Sequence, residues 1–527
     1  MRAHSNHGDR FRAAVFLTGA LLFIVADTLY RSAEARSILP PEIENNMVLT
    51  KNGSPYIAAQ SVSVYEHTEL FIKPGVEIQM GDNASIHVYG SITMIGTESD
   101  PIIIQSAADG ATWGALSVKQ NGSAHLTHVH ISGAAAAIKA DGAELSLDRV
   151  QIENVSFAVE SLQGRLLVTN SSLFALDRGI YIQGGAAQVE NCEVSAPGDA
   201  IEYTRVQNGL IRKNKVHGSL DDCIDLNYSG DDIVVENNLV YDCRDKGISI
   251  GSWSSATHYV TGNIIADCTT GIAIKNHSYA HVNHNTLYDN SVGIACYEKD
   301  PGCDGGFAVV ANTIISGSSA ASYSVDDSSA ITISYSISDT DSLPGEGNLL
   351  ADPMFIDPEH YNFALLPLSP CVDAGDPASP PDADGSRADI GAGFDFATGM
   401  PGDTDNRTAY CFITALVSGS PLEDTLTPIK RFRNRFLLPT APGRIVATRY
   451  YTLSPSAGCF IRSHALVRLI CGLMLLPLIA LSHLVVRSGS ICIVLIVSAA
   501  AVLAAIIVLY YRGKHVIRTR FRRLSYE

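Results

Sequence analysis

A short motif, apolar-x-apolar and usually preceded by glycine, returns at Ile180, Ile201, Ile224, Ile248, Ile272 and Ile294, in steps of 21 to 24 residues. A second series, asparagine followed by an apolar segment, returns at Asn170, Asn191, Asn214, Asn238, Asn263, Asn285 and Asn312, in steps of 21 to 27. Two markers drifting together at one period mean that the chain is built from stacked copies of one small unit, none of which buries its apolar face alone. Each copy holds short Ile/Val-rich stretches such as "GISIGSW" and "GIAIKN", in which residues alternate at period two. That alternation sends Ile248 and Ile250 inward and Ser249 outward.

The pattern excludes the other repeat architectures of similar length. No 3.6-residue apolar period runs through the copies, so helical repeats fail, and the Leu-x-x-Leu-x-Leu skeleton of leucine-rich repeats is missing. One turn of an all-β parallel solenoid per copy remains. It is expected over residues 36–345, with a closing segment over 346–395 and a linker over 396–410. The asparagines are expected to be structural, an inward ladder in which each side chain satisfies backbone at its own corner and bonds its equivalent in the next coil.

Charge divides the chain. The formal net charge is −17, yet residues 401–527 are basic, so the acidic excess sits in the repeats. An acidic solenoid without a Lys/Arg stripe argues against nucleic acid as a partner. The N-terminus reads as a signal peptide over 1–35: Arg10 and Arg12, an apolar run from Ala13 to Ala26, then Ala33-Glu34-Ala35. Near the other end, 491–511 ("ICIVLIVSAAAVLAAIIVLYY") is long and apolar enough to span a bilayer, and the basic tail 512–527 marks its cytoplasmic side. The apolar stretch 467–486 contains Pro477 and reads as an interfacial or packed helix, with a second span as the alternative. The expectation is an exported protein whose partners are the membrane and a polysaccharide. The eleven cysteines show no small-domain framework; Cys296 and Cys303 bracket a loop and form the one suggested disulfide, while Cys243 and Cys268 read as stacked small side chains.

Residues 179–315 resemble the right-handed parallel β-helix repeat proteins of bacteria, the broad group of pectate-lyase-like and NosD-like chains. The segment 351–392, with its "DP-x-F" opening, "SPC-x-DAGD" middle and "DG-x-R-x-D-x-GA" end, is similar to the closing segment of exported bacterial β-helix proteins. The stretch from Cys411, "CFITALVSGS", resembles the CFI-box, which implies a helical juxtamembrane region over 411–490. These resemblances imply a right-handed β-helix outside the cytoplasm. They leave the chemistry open, because the fold hosts lyases, epimerases, hydrolases and non-catalytic adhesins.

Aligning the copies gives one outward column of Tyr181, Glu202, Asp225, Ser249, Ala273 and Ala295, and a second of Gln183, Thr204, Asn227, Gly251, Lys275 and Tyr297. Asp199, Asp222 and Lys246 stand just before the strands, with Asp221 and Asp245 beside them. Glu202 and Asp225 are candidates for a carboxylate pair or calcium ligands, and Lys246 or Lys275 for a base. Asp199, Asp222, Asp245, Asn227 and Tyr297 are candidate ligand contacts. Against this stands a plain solvated acidic face with Lys–Asp pairs. Asp382, Asp384 and Asp389 resemble part of a calcium loop, but no terminal Glu completes it, and a plain capping turn is the preferred reading. Three functions stay open: non-catalytic binding of carbohydrate or another extended ligand on the outer face; a polysaccharide lyase, epimerase or hydrolase using coils 199–275; and an accessory protein for a periplasmic metalloenzyme.

Overall fold

The computed structural model describes residues 37–401, apart from 229–232, 253–255, 383–384 and 396–399. The signal peptide, the CFI-box-like region, the transmembrane segment and the basic tail therefore lie outside the described residues, as does Asp384. The chain divides into two units at Leu350/Ala351.

The first unit is a parallel β-solenoid. Its strands pair with strands one repeat further on, as Ile201 with Ile224, Ile224 with Ile248 and Ile272 with Ile294. Among the described residues, 13 strands stack into one continuous face and 24 more are joined into a sheet that wraps the other faces. A typical coil carries three segments, such as Lys215–His217, Ile224–Asn227 and Val234–Glu236. Where two faces meet without a tight corner, one strand runs through, as in Leu239–Gly251 and Ile264–Lys275. Described helix is confined to two single 3₁₀ turns, Lys51–Gly53 and Pro358–His360. None is long and apolar enough to cross a membrane.

Alternation explains the core. Ile180, Ile201, Ile224, Ile248, Ile272 and Ile294 form one fully buried column, and Ile182, Tyr203, Leu226, Ile250, Ile274 and Cys296 the next. Each such side chain contributes roughly 1.5–3 kcal/mol on leaving water.

The asparagine series proves to be two interleaved series. Asn214, Asn238, Asn263 and Asn285 point inward and are fully buried. Each Oδ1 accepts the backbone N–H one coil earlier: Cys192 N–H to Asn214, Asn214 N–H to Asn238, Asn238 N–H to Asn263 and Asn263 N–H to Asn285, all at 2.9–3.0 Å. Each Nδ2 donates to a carbonyl of the previous coil, as Asn238 does to Ile211 at 2.9 Å. Thr313, Ser336 and Asn348 continue the same column, accepting from Asn285, Thr313 and Ser336. Asn170, Asn191 and Asn312 do not belong to it. They stand one residue earlier, at the left-handed corner, with φ of 51°, 53° and 50°. Lys213, Asn237, Gly262 and His284 share that corner conformation in other coils. Asparagine suits both positions for different reasons, an amide that bonds in two directions and a tolerance of positive φ; the spacing alone merges them.

The second unit contains the antiparallel pair Phe355–Asp357 and Asn362–Leu365, followed by turns. The Asp382 amide donates to the Ser386 carbonyl and the Gly385 amide to the Asp382 carbonyl, closing a turn. Asp389 Oδ1 accepts the Asp373 amide at 2.7 Å. Of the proposed calcium loop, Asp389 thus gives one carboxylate oxygen to backbone, as a capping turn does.

The disulfide expectation is overturned. Cys296 lies inward, in the column below Ile274, and cannot turn out toward the loop that holds Cys303; both are free thiols. The bond present is Cys223–Cys243, with a Cα–Cα distance of 5.7 Å. Cys243 pairs in register with the free, buried Cys268, so the stacked-column reading holds for Cys268 while Cys243 is oxidised.

Candidate functional site

Register places the candidate residues in three adjoining columns. Tyr181, Glu202, Asp225, Ser249, Ala273 and Ala295 are successive partners along the outer face. Beside them run Gln183, Thr204, Asn227 and Gly251, and then Lys275 paired with Tyr297. On the other flank Asp199 and Asp222 lead to Lys246, which pairs with Thr270.

The middle of this outward face is not open to water, and there the expectation of a solvated acidic surface is corrected. Ser249, Gly251, Ala273 and Ala295 are small, so they leave a trough. Lys275 lies in it: a Cβ added to Gly251 would stand 3.1 Å from Lys275 Cε. Lys246 approaches from the other flank. The Lys275 and Lys246 side chains are only 3% and 8% exposed, and Asp222 and Asp225 are buried with them.

The ammonium groups explain why those carboxylates are tolerated. Lys246 Nζ lies 3.3 Å from Asp222 Oδ1 and 2.5 Å from Asp245 Oδ2. Lys275 Nζ lies 4.0 Å from Asp222 Oδ2 and 3.9 Å from Asp225 Oδ1. Asp222 Oδ1 also accepts the Lys246 backbone N–H, and Asp225 Oδ2 accepts Asn227 Nδ2. Burial lifts the carboxyls of Asp222 and Asp225, against the pull of the lysines. Lys246 is pushed above the ordinary lysine range because Asp222 and Asp245 together outweigh its desolvation. For Lys275 desolvation wins, and its pKa is lowered despite Asp225 and Asp222. Burial also raises Tyr297, with Lys246 opposing.

Asp199 differs. It is partly exposed and has no lysine; burial, then Asp225, Glu202, Asp221 and Asp222, push its pKa up to about 8. Glu202 is raised by burial and moderated by Arg178, whose Nη1 lies 3.3 Å from Oε2. Arg178 had escaped the sequence alignment, although it occupies the pre-strand position one coil before Asp199; extending the column upstream would have found it.

Calcium was a candidate cofactor, and carboxylate oxygens of Asp199, Asp222 and Asp225 lie within 4.8 Å of one another. The chemistry does not fit. Asp222 and Asp225 already face the Lys275 ammonium, so a divalent ion among these oxygens would sit beside a fixed positive charge. The site supplies its own counter-ions.

The model described as right handed beta helix region matches residues 114–304. That match lies within the parallel β-solenoid described above. No curated protein matches it. Solved structures similar to this β-helix protein include the periplasmic alginate epimerase AlgG, at 13% identity over 53% of this chain and 77% of that one, with a TM-score of 0.42. Pectate lyase Pel9A aligns at 14% identity over 67% and 96% of the two chains, with a TM-score of 0.34. The A-module of Azotobacter vinelandii mannuronan C-5 epimerase AlgE4 does so at 13% identity over 62% and 88%, with a TM-score of 0.30.

Proposed function

We propose that this β-helix protein is exported, held to a membrane through 491–511, and binds an extended polysaccharide along the outer face of residues 199–297 without cleaving it. The observation that carries this reading is the burial of both candidate bases. Lys246 and Lys275 are committed to carboxylates and almost closed to solvent, whereas proton abstraction needs a base within hydrogen-bond reach of its substrate. Partly exposed hydrogen-bonding groups remain at Glu202, Asn227, Asp245 and Tyr297. Beside them the exposed Tyr228 ring lies 5.3 Å from the Arg205 guanidinium. The apolar run and the basic residues that follow it support the anchor.

A second reading has one observation in its favour. A carboxyl held protonated near neutrality and partly open to solvent is suited to general-acid work, and Asp199 with its pKa near 8 is such a group. One experiment separates the two. Full-length protein in detergent is incubated with pectate, alginate and a neutral glucan, with and without calcium, and retardation of the protein in polysaccharide gels is followed together with the appearance of new chain ends. Retardation without new ends, weakened by Tyr297→Ala and indifferent to calcium, supports binding. New ends that disappear in Asp199→Asn replace that reading with the enzymatic one, and neither result refutes both.

A further inference from the structure

The corner between the outer face and the 13-stranded face changes length from coil to coil. In three consecutive coils the strand pairs are Val62–Val64 with Glu69–Ile72, Ile86–Val88 with Ser91–Ile95, and Leu116–Val118 with Ser123–Thr127. Their registers, Val62 to Ile86 to Leu116 and Glu69 to Ser91 to Ser123, make them stacked neighbours. The first and third corners are tight four-residue turns, closed by the Thr68 amide to the Tyr65 carbonyl at 3.2 Å and the Gly122 amide to the Lys119 carbonyl at 2.8 Å. His67 and Asn121 occupy the same left-handed position in them, with φ of 62° and 64°. The middle corner is only Tyr89-Gly90, so it falls short of its neighbours and leaves a notch.

That notch is an open cleft of about 480 Å³. Its walls are Glu66 and His67 on one side and Gln120 and Asn121 on the other, with Tyr89 and Glu69 at the floor. Tyr89 is 42% exposed. Glycine lets the short corner pack directly against the coil before it, since a Cβ at Gly90 would stand 2.2 Å from the Thr68 carbonyl oxygen. The flanking corners are two coil steps apart, roughly 10 Å. A gap of that width admits one ring lying flat on the floor, with its edge hydroxyls within hydrogen-bond reach of both walls.

The lining decides the ligand. An exposed aromatic face suits the C–H face of a pyranose, and amides and carboxylates on opposite walls match hydroxyls that both donate and accept. No lining residue is Lys or Arg, and Glu66 and Glu69 both line the cleft, so uronates, sulfates and phosphates are disfavoured. We propose that this notch is a second, independent binding site, which takes one pyranose of an uncharged glycan stacked on Tyr89 and hydrogen-bonded by Gln120, Asn121 and Glu66. It lies in coils upstream of residues 199–297 and does not depend on the reading of that face.

The test is isothermal titration of the full-length protein in detergent with neutral tetrasaccharides of gluco-, manno- and galacto-configuration, and with a uronate tetrasaccharide of matched length. At least one neutral probe is expected to bind, and to bind more tightly than the uronate. Tyr89→Ala is expected to weaken it about tenfold, Gln120→Ala to weaken it by a smaller factor, and Tyr89→Phe to retain it. Tyr89→Phe and Gln120→Ala also keep the test valid should Tyr89→Ala lower the unfolding midpoint. Absence of binding by every neutral probe, tighter binding of the uronate, or affinities unchanged in both Tyr89→Ala and Gln120→Ala would overturn the proposal.

Discussion

Replacing Lys275 by methionine keeps the stem that lies over Gly251 and removes only the ammonium. Nζ stands 3.9 Å from Asp225 Oδ1 and 4.0 Å from Asp222 Oδ2, so each attraction is about 4 kcal/mol at an effective dielectric near 20. The ammonium's own desolvation offsets part of this. Breaking a buried pair from one side leaves an uncompensated charge and costs about 3–5 kcal/mol, the loss expected at pH 8. The loss depends on pH in a defined sense. Burial already raises both carboxyls, and without Lys275 they rise further. Between the unfolded carboxylate pKa, roughly 3.9, and these raised values the folded variant holds more protons than the unfolded chain. Its stability therefore falls as pH rises, and the deficit shrinks toward pH 4. Urea unfolding of Lys275→Met at pH 4.5, 6 and 8 reads this out, and the double variant with Asp225→Asn should recover about half of the loss at pH 8. A deficit equal at all three values, unrelieved in the double variant, refutes the electrostatic account and assigns the effect to packing.

Three other outcomes follow from the same structure. Asp199→Asn should change nothing near pH 4 and stabilise the fold increasingly up to pH 8, by a few kcal/mol at most, because between the unfolded carboxylate pKa, roughly 3.9, and about 8 the folded protein keeps a proton that the unfolded chain has lost; denaturation midpoints across that range are the check. Asn238→Ala removes the donor to the Ile211 carbonyl and the acceptor for the Asn214 amide, so a loss of about 3–5 kcal/mol is expected. Asn191→Gly, at the corner position, should be nearly neutral, and comparable losses in these two variants would contradict the division of the asparagines. Reducing Cys223–Cys243, whose partners are 20 residues apart, should cost about 3 kcal/mol, measured as the shift in unfolding with and without a reductant.

The period and the inward–outward alternation were legible because each is a property of residue type at fixed spacing, and the pairing of Glu202 with Asp225 followed from them. What escaped depended on path rather than period. Cys223 and Cys243 belong to different columns of adjacent coils, so their separation is shorter than one repeat and no stacking rule brings them together. Asn170 and Asn191 were merged with Asn214 because a one-residue offset hides inside a drifting repeat. The burial of Lys275 rests on the smallness of Ser249, Gly251 and Ala273, each unremarkable alone. The Tyr89 notch rests on a difference in corner length, which an alignment treats as a gap and a folded chain turns into space.

The asparagine ladder gives the solenoid a direction in time. Each rung's carbonyl oxygen serves the amide of the coil before it, so a coil's corner N–H stays without its partner until the following coil has been laid down. A chain emerging from its N-terminal side therefore completes every turn with the next one, like a spring wound from one end. Asn348 ends the run locally: it accepts from Ser336 and turns its own amide back to the carbonyls of Ile333 and Pro344, so the last rung is closed by sequence only 12 residues away. A truncation that stops between two rungs would leave a growing edge rather than a shorter finished protein.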